Sequence, residues 1–109
     1  MQLPISVPFS PDLDENSALE GIPSAPAVFA LALEATGAVK PPPYLGRTAD
    51  LRRRLERLLG PRSSISKLLN LRELARRIEY QLVGSAFEAQ WLLYRLNKFH
   101  YPSTYRQRL

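Results

Sequence analysis

The chain has 109 residues, 45% of them apolar, which is enough for one ordinary hydrophobic core but not for a second full domain. It has no cysteine, which excludes a disulfide scaffold and a thiolate metal site. The net charge of +5 is uneven, because residues 1–39 carry five acidic side chains and no Lys or Arg, whereas residues 40–109 have a net charge of +10. A basic region of this size attracts polyanions such as DNA or RNA, although a basic surface that only maintains solubility fits the composition equally well.

Residues 1–20 are predicted to form an acidic, proline-rich arm, and residues 21–109 the folded domain. Three prolines within the first eleven residues remove backbone donors, and no apolar period is sustained there. Phe9 and Leu13 are the side chains that could attach this arm to the domain. No apolar run approaches the roughly 20 residues that cross a bilayer, and the first residues lack the features of a secretory signal. We therefore expect a cytoplasmic protein with no membrane partner.

The first two predicted strands follow the arm. Ala27–Leu33 is a short, almost wholly apolar run bounded by proline and by a Thr36-Gly37 turn, which indicates a buried strand. Val39–Leu45 is predicted to return from that turn as a second strand. Because its prolines Pro41–Pro43 cannot donate to a sheet, the strand should be short or lie at an edge.

The clearest predicted helix contains the arginine-rich segment that follows Thr48. Thr48 is a candidate N-cap, Asp50 places a carboxylate at the positive first turn, and Gly60-Pro61 ends the helix. Its apolar stripe consists of Leu51, Leu55, Leu58 and Leu59.

The arginines of this helix differ in direction. At about 100° per residue, Arg54 lies on one margin of the apolar stripe and Arg52 on the other margin. Arg53 points away from the stripe, and together with Arg57 it can contact nucleic-acid phosphates from outside.

The rest of the chain predicts three more elements. A second helix should run from Ser64 toward Arg76-Arg77, and the alternation from Ile78 to Val83 indicates a strand. A third helix should open with a capping box in which Ser85 and Glu88 satisfy each other's backbone donors. Its predicted buried side consists of Ala89, Leu92, Leu93, Leu96 and Phe99. The expected fold is α+β, with a small, mainly antiparallel three-stranded sheet flanked by about three helices.

Two adjacent segments, Tyr44–Thr48 and Leu51–Leu55, resemble the central motif of the GIY-YIG endonuclease domain. The amino-terminal nuclease domain of excinuclease C, a DNA-repair protein of bacteria, is the form that the chain resembles most. The similarity runs from about Gly21 to Leu109, and it includes the strand that starts at Ala27 and the last helix.

This resemblance implies metal-dependent hydrolysis of DNA. It makes Tyr44 the catalytic tyrosine that orients or deprotonates the attacking water, and Arg54 the arginine that stabilises charge on the phosphate. The expected DNA-backbone contacts are Arg47, where the family often has a basic residue, and the helix arginines Arg52, Arg53 and Arg57. The family's first tyrosine falls on Phe29, and its metal-binding glutamate falls on Leu93, which cannot ligate a hard cation.

We therefore expect a DNA-binding domain with weak or lost nuclease activity and no bound metal or cofactor. The alternative is an active endonuclease that uses Mg²⁺ or Mn²⁺, with Glu79 as the likelier replacement ligand. A third option is a protein-interaction domain whose charge is incidental. Three aromatic residues suit either ordinary packing or stacking on unpaired bases. They are Trp91, Tyr94 and Tyr101.

Overall fold

The computed structural model describes residues 3–10, 19–35, 41–59 and 71–103 of the chain. The strands are β1 (Ile5–Pro8), β2 (Ala27–Leu33), β3 (Tyr44–Thr48) and β4 (Ala75–Leu82). The helices are α1 (Leu51–Leu59), the single-turn α2 (Leu71–Leu74) and α3 (Ala86–His100). Over these residues, no helix combines the length and the apolar character needed to cross a membrane.

The described strands form one antiparallel sheet in the order β1-β4-β2-β3. The central strand β2 pairs on both sides, so that Leu31 lies opposite Tyr44 of β3 and opposite Ile78 of β4. A strand that is covered on both faces consists of a continuous apolar run, which is why β2 was recognisable in the sequence. The predicted α+β class with an antiparallel sheet is confirmed.

The sheet has one strand more than predicted, because residues 5–8 of the predicted arm form β1 beside β4. The backbone N–H of Phe9 extends this pairing by donating to the carbonyl oxygen of Arg76 at 3.0 Å. Edge strands tolerate proline, so the prolines around this short segment concealed it in the sequence. Phe9 is 4% exposed and belongs to the core, as expected of a residue that attaches the arm. Leu13, the other predicted attachment, lies outside the described residues.

Strand β4 begins at Ala75, three residues earlier than predicted. Arg76 and Arg77 therefore belong to the sheet and not to the last turn of a helix. The guanidinium of Arg76 forms an ion pair with Glu34, with 2.8 Å between Nη2 and Oε2. Pairing with the full length of β2 overrides the local helical pattern, which is a weak preference by comparison. The predicted start of that helix, Ser64, lies outside the described residues.

Side chains of the sheet alternate between two faces, and each face carries a separate apolar cluster. The first face, here called the α1 face, is covered by α1. Its buried side chains include Phe29, Leu31, Leu51, Leu55, Leu59, Ile78 and Tyr80. The opposite face, here called the α3 face, is covered by α3. Its buried side chains are Leu3, Val28, Ala30, Val83, Ala89, Leu92 and Leu96. This division decides which of the predicted site residues can meet.

Both long helices begin with a capping side chain. Asp50, and not the predicted Thr48, caps α1, because its Oδ1 accepts the N–H of the third helical residue at 3.1 Å. Thr48 supports this cap by accepting the N–H of Asp50 at 3.1 Å. In α3 the Oγ of Ser85 accepts the N–H of Glu88 at 3.1 Å, as predicted. The carboxylate of Glu88 accepts from Gly84 at 2.6 Å and not from Ser85.

The end of α3 corrects one predicted core position. Phe99 is 59% exposed, and Asn97 is buried at 2% exposure. Phe99 follows Ala89 by ten residues, or about 280° around the helix, which places it on the margin of the buried stripe. Its ring contacts His100 edge-on instead, with 4.9 Å between the ring centroids. The other predicted residues of this stripe are buried or half-buried.

Candidate functional site

Tyr44 is the first residue of the edge strand β3, and its side chain belongs to the α1 face. It lies opposite Leu31, and its ring centroid is 6.3 Å from that of Phe29, with the rings tilted by 31°. The side chain is half-buried. Just before this strand, the hydroxyl of Tyr101 donates to the carbonyl oxygen of Pro43 at 2.7 Å, which ties the end of α3 to the start of β3. Tyr44 is thus held at the rim of the α1 face.

Gly46 has no side chain, and the ring of Phe29 packs closely against its backbone. It lies opposite Phe29, and a Cβ at this position would be 2.7 Å from Cζ of the Phe29 ring. Real Cβ atoms essentially never come this close to another heavy atom. Packing against Phe29 therefore explains why this position is glycine.

Arg54 lies on α1, the helix that covers the face to which Tyr44 belongs. The structure therefore places both predicted catalytic residues on the same side of the sheet. Arg54 is half-buried, and its Nε is shielded from solvent without a hydrogen-bond partner. A buried donor without a partner costs about 1–3 kcal/mol, so the Nε of Arg54 lowers the stability of the free protein.

The remaining arginines of α1 form an outward surface, here called the arginine surface, which consists of Arg52, Arg53 and Arg57. Arg53 and Arg57 are exposed one helical turn apart. Arg52 already has partners within the protein. Its Nη1 donates to the carbonyl oxygen of Glu20 at 3.4 Å, and its Nε lies 3.7 Å from a carboxylate oxygen of Glu56. Arg53 and Arg57 are consequently the two members most accessible to a phosphate.

Arg47 does not join this surface. It lies opposite Val28, whose side chain belongs to the α3 face, so the sheet separates Arg47 from Tyr44. Arg47 is exposed and lines a pocket of about 440 Å³ at the start of α3. Two donors at this helix start are already satisfied, since Ser85 and Glu88 accept from the chain's own backbone. Arg47 is the one cationic side chain among the described residues that line this pocket.

The position that the family gives to its metal-binding glutamate lies on the wrong face for the predicted site. Leu93 packs against the apolar cluster of the α3 face, away from Tyr44 and Arg54. Glu79 cannot replace it beside them, because it lies opposite Ala30 and so belongs to the α3 face too. Among the described residues, no group of three or more His, Cys, Asp or Glu side chains is placed to hold a metal ion. Within the described ranges, neither Leu93 nor Glu79 is therefore placed to supply an oxygen ligand beside Tyr44.

Phe87 and Trp91 are large, exposed aromatic side chains of α3, of which only Trp91 was singled out from the sequence. Phe87 is 77% exposed and Trp91 54% exposed, and both lie on α3 with Tyr94. The sequence contains a signal for this exposure. Large apolar residues lie around most of the circumference of α3, so some of them must lie outside the single stripe that is buried. Tyr101 is not part of this group, since its hydroxyl is bonded to Pro43.

Searches with protein-family models, curated proteins and solved structures found no match to this chain.

Proposed function

We propose that the chain binds DNA through the arginine surface of α1, as a GIY-YIG-like domain of the excinuclease type whose nuclease activity is weak or lost. The observation that carries this proposal is the exposure of Arg53 and Arg57 on a helix with four arginines and one acidic residue in nine positions. The arginines of this helix do not stabilise it by pairing with one another, because like charges one turn apart repel each other. A polyanion removes that repulsion.

The expected contacts are with phosphates. Arginine binds phosphate oxygens with its planar guanidinium, and such contacts position DNA without reading its sequence. Glu56 and the carbonyl of Glu20 hold Arg52 at the margin of the arginine surface, which leaves Arg53 and Arg57 to make the first contacts. The binding should therefore depend strongly on salt and weakly on base sequence.

The weakness of the nuclease activity follows from the missing oxygen ligand. The family's reaction requires a divalent cation beside the tyrosine and arginine, and hard cations require oxygen donors. Leu93 supplies hydrocarbon, and both Leu93 and Glu79 belong to the other face of the sheet. What remains on the side of the sheet that carries Tyr44 is the guanidinium of Arg54, which can hold a phosphate without activating water.

Fluorescence anisotropy with a labelled duplex in a series of salt concentrations tests the binding. Substituting both Arg53→Ala and Arg57→Ala should reduce the slope of log affinity against log salt by about 2, because each phosphate contact contributes about 0.9. Arg77→Ala on β4 is the control for the loss of one positive charge, since Arg77 is also exposed but lies outside α1 and donates to the Oγ of Ser6 at 2.7 Å. An unchanged slope in the double variant, or binding that does not weaken with salt, would argue for a protein-interaction domain instead.

An active endonuclease is the second candidate. The observation that favours it is the position of Tyr44 and Arg54 on the same side of the sheet, with the Nε of Arg54 buried and unpaired. Branched, nicked and supercoiled DNA should be incubated with the protein and Mg²⁺ or Mn²⁺. Cleavage that is abolished by Tyr44→Phe or Arg54→Ala would replace the first proposal by this one.

A further inference from the structure

Helix α3 carries an aromatic stripe on the side turned away from the sheet. Phe87, Trp91 and Tyr94 follow one another at intervals of four and three residues, so they lie along one line of the helix surface. The buried residue Ala89 is about 160–200° away from Phe87 and Trp91 around the helix axis. The rings of Trp91 and Tyr94 are stacked, with centroids 6.0 Å apart and 26° between their planes.

These aromatic residues are not needed to attach the helix. Ala89, Leu92 and Leu96 already bury the opposite side of α3 against the sheet, and each is less than 8% exposed. Large exposed aromatic side chains that lie together mark an interaction surface more often than scattered single ones do. With Gln90, the three aromatic residues line an open pocket of about 320 Å³, at the lower end of the roughly 300–1,000 Å³ of small-molecule sites.

The chemistry of this pocket favours a flat aromatic group. Its wall consists of three aromatic rings and one amide, without the Leu, Ile or Met side chains that usually line grooves for apolar peptides.

The charges beside the pocket favour an anion attached to that aromatic group. Arg95 follows Tyr94 directly and is exposed, and Lys98 lies one turn further along the helix. A π-surface with cations at its end is the usual combination for stacked bases and their phosphates. A second copy of this chain is a poor occupant, because two chains with a net charge of +5 repel each other.

We propose that the aromatic stripe Phe87–Trp91–Tyr94 binds unpaired bases of single-stranded nucleic acid, with Arg95 and Lys98 beside the backbone. This goes beyond the function proposed above, because it concerns the α3 side of the sheet and a different form of nucleic acid. It does not require the arginine surface of α1.

Trp91 is the only tryptophan of the chain, so its fluorescence reports directly on this pocket. The probes are an oligothymidylate of about twelve nucleotides, a strand of equal length made of abasic sugar-phosphate, and a blunt duplex. The oligothymidylate should quench Trp91 to saturation, because a base stacks on its ring. The abasic strand and the duplex should quench it little, because neither presents an unpaired base.

Phe87→Ala should weaken the binding of oligothymidylate by about 5- to 100-fold, in line with the loss of one stacking side chain. Because Phe87 is 77% exposed, this substitution should leave the fold intact, which thermal unfolding verifies. Phe99→Ala is the matched control, since Phe99 is a similarly exposed aromatic residue of the same helix outside the pocket. Its affinity should equal that of the unchanged chain.

The two proposals fail separately. The double substitution Arg53→Ala and Arg57→Ala should weaken duplex binding while the quenching by oligothymidylate persists. The stripe proposal is overturned by equal quenching from the abasic strand, or by unchanged affinity in Phe87→Ala. It is equally overturned if Trp91 responds only to an acidic, aromatic peptide or only to rising concentration of the protein itself, which would indicate protein docking.

Discussion

The ring of Phe29 occupies the space that a side chain at Gly46 would need, with Cζ only 2.7 Å from the position of a Cβ. Both residues lie directly opposite each other in neighbouring strands, and Phe29 is completely buried. The tyrosine-to-glycine motif of β3 is therefore tied to the packing of the core.

Gly46→Ala should lower the free energy of unfolding by about 1–3 kcal/mol, because the added methyl group overpacks the core against Phe29. Gly21→Ala is the matched control, since a Cβ at Gly21 would meet no atom within 4 Å. Chemical denaturation measures both. When Phe29→Leu is added to Gly46→Ala, the double variant should lose less unfolding free energy than the sum of the losses in the two single variants. Strict additivity of the two changes would show that the ring does not oppose the methyl group.

Arg54→Met should raise the free energy of unfolding by about 1 kcal/mol, because it removes a buried donor that has no partner and keeps an apolar stem. The same variant should bind DNA less tightly, if the guanidinium receives a phosphate. Arg57→Met, at an exposed position of the same helix, should change the stability by less than about 0.5 kcal/mol. A marked loss of stability in Arg54→Met would mean that the guanidinium is bonded within the protein.

Leu93→Glu should not create metal-dependent cleavage, although the resemblance to the nuclease family suggests that it restores a ligand. Because Leu93 packs against the apolar cluster of the α3 face, a carboxylate there should cost about 1–3 kcal/mol of stability. Leu93→Met preserves volume and should cost less than about 1.5 kcal/mol. Thermal unfolding and a plasmid-cleavage assay with Mg²⁺ measure the two effects. Gain of cleavage in the glutamate variant would place position 93 beside Tyr44 after all.

Tyr101→Phe should lower the free energy of unfolding by about 1 kcal/mol, because the carbonyl oxygen of Pro43 loses its donor at 2.7 Å. Hydrogen exchange should accelerate at the first amides of β3, where the chain is no longer tied to the end of α3, and not in β2. Uniform acceleration over the whole sheet would indicate that this hydrogen bond supports the fold globally and not β3 alone.

The elements that the sequence predicted best have an unambiguous pattern of apolar residues. Helix α1 ends where it was predicted to end, because its leucines recur with the helical repeat up to Gly60, but it begins two residues later than the predicted cap Thr48 implies. Strand β2 was recognisable as a continuous apolar run. Strand β1 was missed, since four residues that end in a proline carry too little pattern, and the pairing partner β4 lies about 70 residues away.

The candidate site was predictable only in part, because it depends on which face of the sheet each residue uses. Tyr44 and Arg47 are an odd number of residues apart in one strand, which by itself assigns them to opposite faces. The faces of Leu93 and Glu79 depend on how α3 docks and how β4 pairs with β2, which no local pattern reveals. The exposure of Trp91 depends on the same docking.

The position of β1 has a consequence for any shortened version of the chain. A protein that begins at Gly21 would lack the outer strand and would leave the backbone donors and acceptors of β4 open along that edge. It would also lose two buried core side chains, Leu3 on one face of the sheet and Phe9 on the other. Such a fragment should aggregate by strand addition between molecules, even though every residue assigned to nucleic-acid contact is still present.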